Sequence, residues 1–405
     1  MIPAIASIHY HLRPGGVTEV IRHHHRILRA AGVPHSIHCG ENPSDLDAIV
    51  DPSLNYQLLD SPSPTVALQP SPFPAALLHF HNPCLGKNPA LSAALPDLAR
   101  RGHALLLHHH DLAEDGRPDL LARLAKLPEL YPWSSRVGHA FINSRDREIF
   151  LRAGLPEHRA FLMPNPCTSL ELPPPASCGP ATVVLPMRGI PRKNLGEFLL
   201  LAAAAPPGTR FLQASAPENP AWLGNYEEWR TFAAALSLPV TFDAFAAGRI
   251  ATLASSTHLL TTSTQEGFGM IHLEAAGNRR VLGREIPYLA ADLAGFPDSG
   301  LYQAILVDGC DFPTLDPASQ RQAIAATLAG NDVATVIYHG NRTSLRHWLA
   351  NQLALRSPED ATPALARHAD AAQLDRLMHI ALTLGNAPQE PLRFVDPQTI
   401  LLAFS

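Results

Sequence analysis

Thr261-Thr262-Ser263-Thr264-Gln265-Glu266-Gly267-Phe268-Gly269-Met270-Ile271-His272-Leu273-Glu274-Ala275-Ala276-Gly277 places two carboxylates, Glu266 and Glu274, around a Gly-Phe-Gly turn. The apolar run through Leu259-Leu260 reads as a strand, Gly267 and Gly269 let the backbone turn sharply, and Met270 onward reads as a helix. A helix therefore starts beside the carboxyl end of a strand. Free amides there attract phosphate. Glu266 in the loop is expected to reach the same cleft as Glu274, whose side chain on the early helix leans back toward the amino end. Two acidic acceptors facing one pocket suit a polyhydroxylated ligand. The structural alternative is a Glu266 that merely caps the helix and a solvated Glu274.

Upstream, Pro186-Met187-Arg188-Gly189-Ile190-Pro191-Arg192-Lys193-Asn194 also follows a strand and precedes a helix. A guanidinium grips two phosphate oxygens at once and an ammonium adds a point charge, so Arg188 and Lys193 can together neutralise a diphosphate and stabilise it as a leaving group. A solvated basic loop is the alternative, and Arg192 reads as a solvated neighbour. Near the amino end, Arg13-Pro14-Gly15-Gly16-Val17-Thr18-Glu19 sits between a first strand and a helix carrying Ile21, Ile27 and Leu28. Its paired glycines permit close backbone approach to a phosphate or sugar, but this is not the Gly-x-Gly-x-x-Gly of dinucleotide-binding proteins.

The chain has 405 residues, beyond the size at which a single core usually stops growing, so two domains are expected. With 46% hydrophobic residues, a mean hydropathy of zero and no apolar run long enough to span a bilayer, it reads as soluble and globular, without an integral membrane segment. The start passes straight into a strand-like segment without a basic leader, which makes the cytoplasm the expected location. Five scattered cysteines without a Cys-x-x-Cys pair indicate neither a disulfide framework nor a zinc cage. A net charge of -5 and the lack of a basic stripe argue against a nucleic-acid partner. Nothing in the charge pattern supports docking on anionic lipid, although a lipid-linked acceptor stays open. Oligomeric state is not legible.

Both halves share a strand, loop, helix rhythm, the mark of an α/β architecture. Expected strands are residues 4–8, 76–80, 104–107 and 140–142 in the first half, and 181–185, 209–212, 240–242 and 258–261 in the second, with a helix over Leu195–Ala205. The expected arrangement is two Rossmann-like parallel-sheet domains facing across a cleft, with ligands beyond the carboxyl ends of the strands. The boundaries read as an amino-terminal domain over 1–170, a Pro-rich linker over 171–180, a carboxy-terminal domain over 181–375, and a tail over 376–405 that can cross back. A second Pro-rich stretch, Ser61 to Pro74, reads as a surface loop.

Two of the 21 histidines' groupings, His23-His24-His25 and His108-His109-His110, invite a metal reading. Within a helix the first triplet points in different directions around the axis, and along a strand the second alternates between faces, so no metal site is expected from either.

In order and spacing these motifs resemble the retaining family 4 glycosyltransferases (glycosyl transferases group 1), whose fold is GT-B. The resemblance runs from about residue 5 to about residue 280. It includes His110-Asp111 after a strand, His81-Asn82 after another, and Phe141-Ile142-Asn143-Ser144 leading to Leu162-Met163-Pro164-Asn165-Pro166. It implies transfer of a hexose from a UDP- or GDP-linked sugar to a hydroxyl acceptor with retained anomeric configuration. It further implies Arg188 and Lys193 on the diphosphate, Glu274 on the ribose, and Glu266 with the amides of Gly267, Phe268, Gly269 and Met270 on the sugar and phosphates. Gly15 and Gly16 would lie near the donor, His110 would contact the donor sugar with His108 as its substitute, and His81 and Asn82 would line the acceptor side. A satisfied structural histidine is the alternative for His81. The family works without a bound divalent ion, so no cofactor and no metal are expected. After residue 277 the chain departs from the family: Asn278-Arg279-Arg280-Val281-Leu282-Gly283-Arg284-Glu285-Ile286-Pro287 replaces the usual Gly-x-Pro-Val-Val strand. A GT-B phosphorylase, a nucleotide-sugar epimerase and a non-catalytic sugar-nucleotide scaffold are the alternatives.

Overall fold

The computed structural model describes residues 4–57, 77–127, 129–167 and 170–404. The chain divides into two compact units, one formed by Met1–Cys167 with Ala366–Ser405 and the other by Thr168–Leu365. The Ser61 to Pro74 stretch lies outside the described residues.

The first unit is built on a seven-stranded parallel sheet in the order Ile49–Val50, His35–Cys39, Ile5–His9, Leu77–His81, Leu105–His109, Val137–Phe141, Ala160–Leu162. Every residue of Ile5–His9, Leu77–His81, Leu105–His109 and Val137–Phe141 is buried, as expected for a parallel sheet covered on both faces. His35–Cys39 was not expected as a strand. Its His-Ser-Ile-His-Cys sequence lacks an apolar run, and it forms because its backbone pairs with Ile5–His9.

Residues from Ala366 onward also belong to this unit, including the 366–375 segment that the sequence reading grouped with the carboxy-terminal domain. On the helix Asp370–Gly385, Leu377, Ile380, Ala381 and Leu384 pack with Ile5, Ile27, Leu28, Leu77 and Leu106. Asp370 accepts hydrogen bonds from Arg26 at 2.8 Å and pairs with His23 at 2.9 Å. The Gln373 amide donates to the Pro164 carbonyl, and His368 bonds the Asn165 carbonyl. Farther on, Arg393–Phe394 pairs antiparallel with Pro132–Trp133.

The second unit has a six-stranded parallel sheet in the order Val240–Thr241, Arg210–Ser215, Thr182–Arg188, His258–Thr261, Arg280–Arg284, Leu301–Tyr302. The helix Leu195–Ala204 is apolar nearly all round and buried at every position, so it lies inside the unit and not on its surface. A second sheet, Cys310–Asp311, Ala304–Val307, Ala334–Tyr338 and Asn341–Ser344, is antiparallel. Its strands Ala334–Tyr338 and Asn341–Ser344 are not among the expected ones. The expected linker over 171–180 is held against this unit: Leu172 packs near Leu253 and Leu259, and Arg279 donates to the Pro173 carbonyl at 2.9 Å. The segment that departs from the family forms a regular strand, Arg280–Arg284, paired parallel with His258–Thr261. Among the described residues no helix is long and apolar enough to cross a membrane.

Glu197, on the buried helix, is fully enclosed. It accepts from Arg284 Nε at 3.0 Å and Nη2 at 2.7 Å, and from the Tyr302 hydroxyl; Asp311 takes the other side of the guanidinium at 2.8 Å. Removing one partner strands a buried charge, which costs more than the pair itself contributes. Glu197→Ala is expected to lower the unfolding free energy by about 3 kcal/mol, the low end of the range because Asp311 remains. Chemical denaturation of the two proteins measures this, and an unchanged midpoint would show that Arg284 finds water in its place.

Candidate functional site

In the second unit the strand order reverses about Thr182–Arg188, whose neighbours Arg210–Ser215 and His258–Thr261 lie on opposite sides. In open parallel sheets this reversal separates the loops that follow the adjacent strands and leaves a crevice at their carboxyl ends. Here the two loops are Arg188 to Asn194 and Thr262 to Gly269. The first closes in a 3-10 turn at Pro191–Lys193, after which Asn194, at φ 51°, caps the helix Leu195–Ala204. The second is tied to it by bonds to the Arg192 carbonyl from Thr264 N at 3.0 Å and Thr264 Oγ1 at 3.4 Å, by Thr262 Oγ1 to Lys193 O at 2.7 Å, and by Lys193 Nζ to Glu266 Oε1.

Lys193 and Glu266 are both about nine-tenths buried and form an ion pair. Ser263 Oγ donates to the same carboxylate oxygen at 2.6 Å. The Tyr288 hydroxyl accepts from Glu266 N at 2.9 Å and donates to Glu266 O at 2.7 Å, fixing the backbone. Burial by itself would raise the Glu266 carboxyl, but the charges of Lys193 and Arg192 and the bonds from Lys193 and Ser263 outweigh it and hold the group below its usual value. His272 is pushed down to about 4 by burial, against the opposing pull of Glu266, so it is neutral at physiological pH.

The structure thus brings Lys193 and Glu266 together and gives the other charged candidates different neighbours. Arg188, half-exposed, pairs with Glu218 at 3.0 Å. Glu274 pairs with Arg249 at 2.7 Å. A cleft of about 150 Å³ beside Glu266 is lined by Gly269, His272, Arg284, Glu285 and Phe296 as well, and Glu274 is not among its walls. Glu266 and Glu274 thus each have a cation of their own, Lys193 and Arg249. Gly269 adopts φ 79° at the cap of the six-residue helix Met270–Ala275, a left-handed conformation that favours glycine, and Phe268 is buried behind the turn. Met270 is partly exposed at the start of that helix, and Gly267 is partly exposed before Phe268.

In the first unit the order reverses between Ile5–His9 and Leu77–His81. His81, Asn82 and His110 meet there. His81 Nδ1 and His110 Nε2 lie 2.9 Å apart, and the Asn82 side chain accepts from His110 N at 2.7 Å and from Asp111 N at 3.1 Å. Asn82 itself stands at φ 58°, and its carbonyl accepts from the Tyr10 hydroxyl. Burial pushes His110 down to about 4 despite the upward pull of Asp111, which leaves a neutral imidazole. His108 lies one turn of the pleat deeper, bonded to His79 at 3.1 Å.

Gly15 and Gly16 start the helix Gly16–Ala30. Gly15 is extended, at φ 169°, and a Cβ on Gly16 would meet nothing within 4 Å. Gly16 therefore has open space beside its backbone. Sequence reasoning missed Ser263 and Arg249, which bond the carboxylates of Glu266 and Glu274, and Tyr288, which holds the Glu266 backbone. Ser263 was within the quoted motif, whereas nothing in the chain marks Tyr288 or Arg249.

No model of a known protein family matches the chain. A curated relative, mannosylglucosyl-3-phosphoglycerate synthase of Petrotoga mobilis, is 26% identical over 184 residues, covering 39% of this chain. The match spans about a third of that relative's length, 36%. Among solved structures, Anabaena HepE in complex with UDP-glucose superposes with a TM-score of 0.53 at 14% identity, over 92% of this chain and 99% of that one. An Escherichia coli structure described as trehalose-6-phosphate bound with UDP-2-fluoro glucose gives 0.51 at 13% identity, over 96% and 100%. The fold is GT-B, two Rossmann-like parallel-sheet units.

Because the folded Glu266 carboxyl lies below its unfolded value, its contribution to stability is present above the ordinary carboxyl pKa of 4.5 and is lost as pH falls through the lower folded value. Glu266→Gln is expected to cost about 3 kcal/mol near neutrality, where it leaves the Lys193 ammonium buried without its counter-charge, and progressively less only once pH falls below the ordinary carboxyl value of 4.5. Melting temperatures of both proteins across the acid range check this; parallel curves would contradict it.

Proposed function

We propose that this protein is a retaining, metal-independent glycosyltransferase that moves a hexose from a UDP- or GDP-linked sugar to a hydroxyl acceptor. The observation that carries the reading is the buried Lys193–Glu266 pair at the reversal point of the second sheet, a cation and a carboxylate stored where such sheets bind ligands. A diphosphate offers Lys193 a better-charged partner than Glu266. Donor binding then exchanges the ion pair, with the ammonium moving to phosphate oxygen and the freed carboxylate accepting hydrogen bonds from sugar hydroxyls. Arg188 makes the matching exchange from Glu218, and Glu274 leaves Arg249 for the ribose hydroxyls. The loop from Gly267 to Met270 lies against the sugar and phosphates.

In the transfer step the bond from the anomeric carbon to the leaving phosphate breaks as the bond to the acceptor oxygen forms on the same face. The acceptor's proton passes to the departing phosphate oxygen. The two cations take up the charge that develops there, so no carboxylate nucleophile and no metal on the diphosphate are needed. Neutral His110 donates to or accepts from the sugar, with His81 and Asn82 fixing its position on the acceptor side. The open space before Gly15 and Gly16 admits the donor. Five free cysteines suit a reducing compartment, the cytoplasm. The partial match to a sugar-transferring synthase and the GT-B fold support this reading, and the acceptor is a hydroxyl compound of unassigned identity.

Calorimetry and a nucleotide-release assay with a panel of nucleotide sugars, without added metal, test it. One donor is expected to bind and to be slowly hydrolysed, and Glu274→Ala is expected to weaken that binding about tenfold or more. Binding with no turnover under any acceptor would leave a scaffold; phosphate-dependent release of sugar phosphate, or an isomerised donor, would identify a phosphorylase or an epimerase. Gly16→Ala separates site from fold: the melting temperature is expected to hold while turnover falls, and equal turnover would remove the glycine pair from the donor site.

A further inference from the structure

We propose that the first unit holds a divalent transition-metal ion of the zinc type between His24, His79 and His81. Each of the three is 2% exposed or less. His24 comes from the helix Gly16–Ala30 and the other two from one face of the strand Leu77–His81. They offer one ring nitrogen apiece, all within 4.8 Å of one another. Each ring has a buried nitrogen without a hydrogen bond of ordinary geometry: Nδ1 of His79, Nε2 of His81 and both of His24, the last with the Gln373 side chain within reach. A buried orphan of this kind costs about 1–3 kcal/mol, so several in one place call for a ligand.

Histidine abundance alone does not create orphans. On the same sheet His109 Nε2 lies 2.9 Å from His139 Nδ1, and His139 Nε2 donates to the Pro132 carbonyl at 2.9 Å; neither residue leaves a buried nitrogen unmatched. The remaining ring nitrogens of His79 and His81 are, by contrast, already engaged in the way metal-bound histidines require. His79 Nε2 meets His108 Nδ1 at 3.1 Å, and His81 Nδ1 meets His110 Nε2 at 2.9 Å. A ligating histidine donates its other N–H to an acceptor, which fixes its tautomer and ring orientation. Metal on His79 Nδ1 and His81 Nε2 makes each a donor along those bonds, and His108 and His110 the acceptors.

Three imidazoles suit zinc, cobalt, nickel or copper ions far better than magnesium or calcium. A tetrahedral ion with nitrogen ligands at about 2.0–2.1 Å draws them to about 3.4 Å from one another, a contraction of the present set. The fourth position falls to water or to Gln373, a buried amide beside His24 whose Oε1 is also unpartnered. An overlapping set, His81, His108 and His110, is also close enough to share an ion. Its buried orphans are Nε2 of His81 and Nε2 of His108, with none on His110, whereas every member of the first set carries one. The expectation of no metal weighed each histidine triplet alone; the site takes one member of the first triplet and two residues from a different strand. It sits in the sheet of the first unit and leaves the proposed metal-free diphosphate chemistry as it stands.

Untagged full-length protein, stripped with chelator, is titrated with Co²⁺ and back-titrated with Zn²⁺. One equivalent is expected, with visible ligand-field absorption displaced by zinc, and His24→Gln and His79→Gln should each weaken it by more than about 100-fold while exposed His158→Gln leaves it unchanged. No stoichiometric uptake, uptake unaffected by either variant, or uptake lost in His110→Gln but kept in His24→Gln would overturn the assignment. Circular dichroism checks that the variants fold. If one does not, anomalous diffraction from zinc-soaked wild-type crystals decides, with a peak among the three rings supporting the site and peaks only at surface histidines refuting it.

Discussion

A parallel sheet forces every connection to travel from the carboxyl end of one strand back to the amino end of the next, so its loops of consequence gather along one edge. Where the strand order reverses, two neighbouring connections leave to opposite faces and open a gap between them. In the second unit that gap falls beside Thr182–Arg188, and the loops on its two sides carry Lys193 and Glu266. The ion pair depends on this placement, since its members are far apart in sequence and meet only because Thr182–Arg188 and His258–Thr261 are hydrogen-bonded neighbours. Around the pair, Ser263, Thr262, Thr264 and Tyr288 bind backbone and carboxylate so that both loops hold one geometry.

The same constraint decided what could be read from sequence. Central strands such as Thr182–Arg188 and Leu105–His109 announce themselves as short apolar runs, because both of their faces are covered. The loops after them announce their chemistry through Gly, Arg, Lys and Glu. His35–Cys39 was illegible because it is not an apolar run and is stabilised by pairing with Ile5–His9, far from it in sequence, whereas Ala334–Tyr338, rich in β-branched residues and paired with the neighbouring Asn341–Ser344 as well as with Ala304–Val307, carried a strand signal that sequence reasoning missed. The partner of Glu274 was illegible for a related reason: Arg249 follows Gly248 on an ordinary short helix, and only the folded chain brings it to the carboxylate.

Charge and histidine behave differently under burial, and the two units use them differently. In the second unit, burial is answered by opposite charge, as in Lys193 with Glu266 and Arg284 with Glu197 and Asp311. In the first, it is answered by neutrality: burial pulls His79, His81 and His108 well below the usual imidazole range, and rings stack upon rings across three elements. Helical and strand periodicity correctly kept the members of each triplet apart. They said nothing about which rings from other elements would come to meet them.

The return of the chain to the first unit at Ala366 bears on how the protein is made. During synthesis the apolar surface formed by Ile5 and Leu106 of the sheet with Ile27 and Leu28 of the helix Gly16–Ala30 emerges early, but the side chains that cover it, Leu377, Ile380 and Leu384, follow about 200 residues after Cys167. At a ribosome's pace of about 5–20 residues per second, that apolar face stays uncovered for ten seconds or longer. The second unit, contiguous from Thr168 to Leu365, has all its parts before the first can be finished. A nascent chain of this design is therefore a client for chaperones that shield apolar surface, and a chain cut short before the helix Asp370–Gly385 leaves the first unit with its core open on one side.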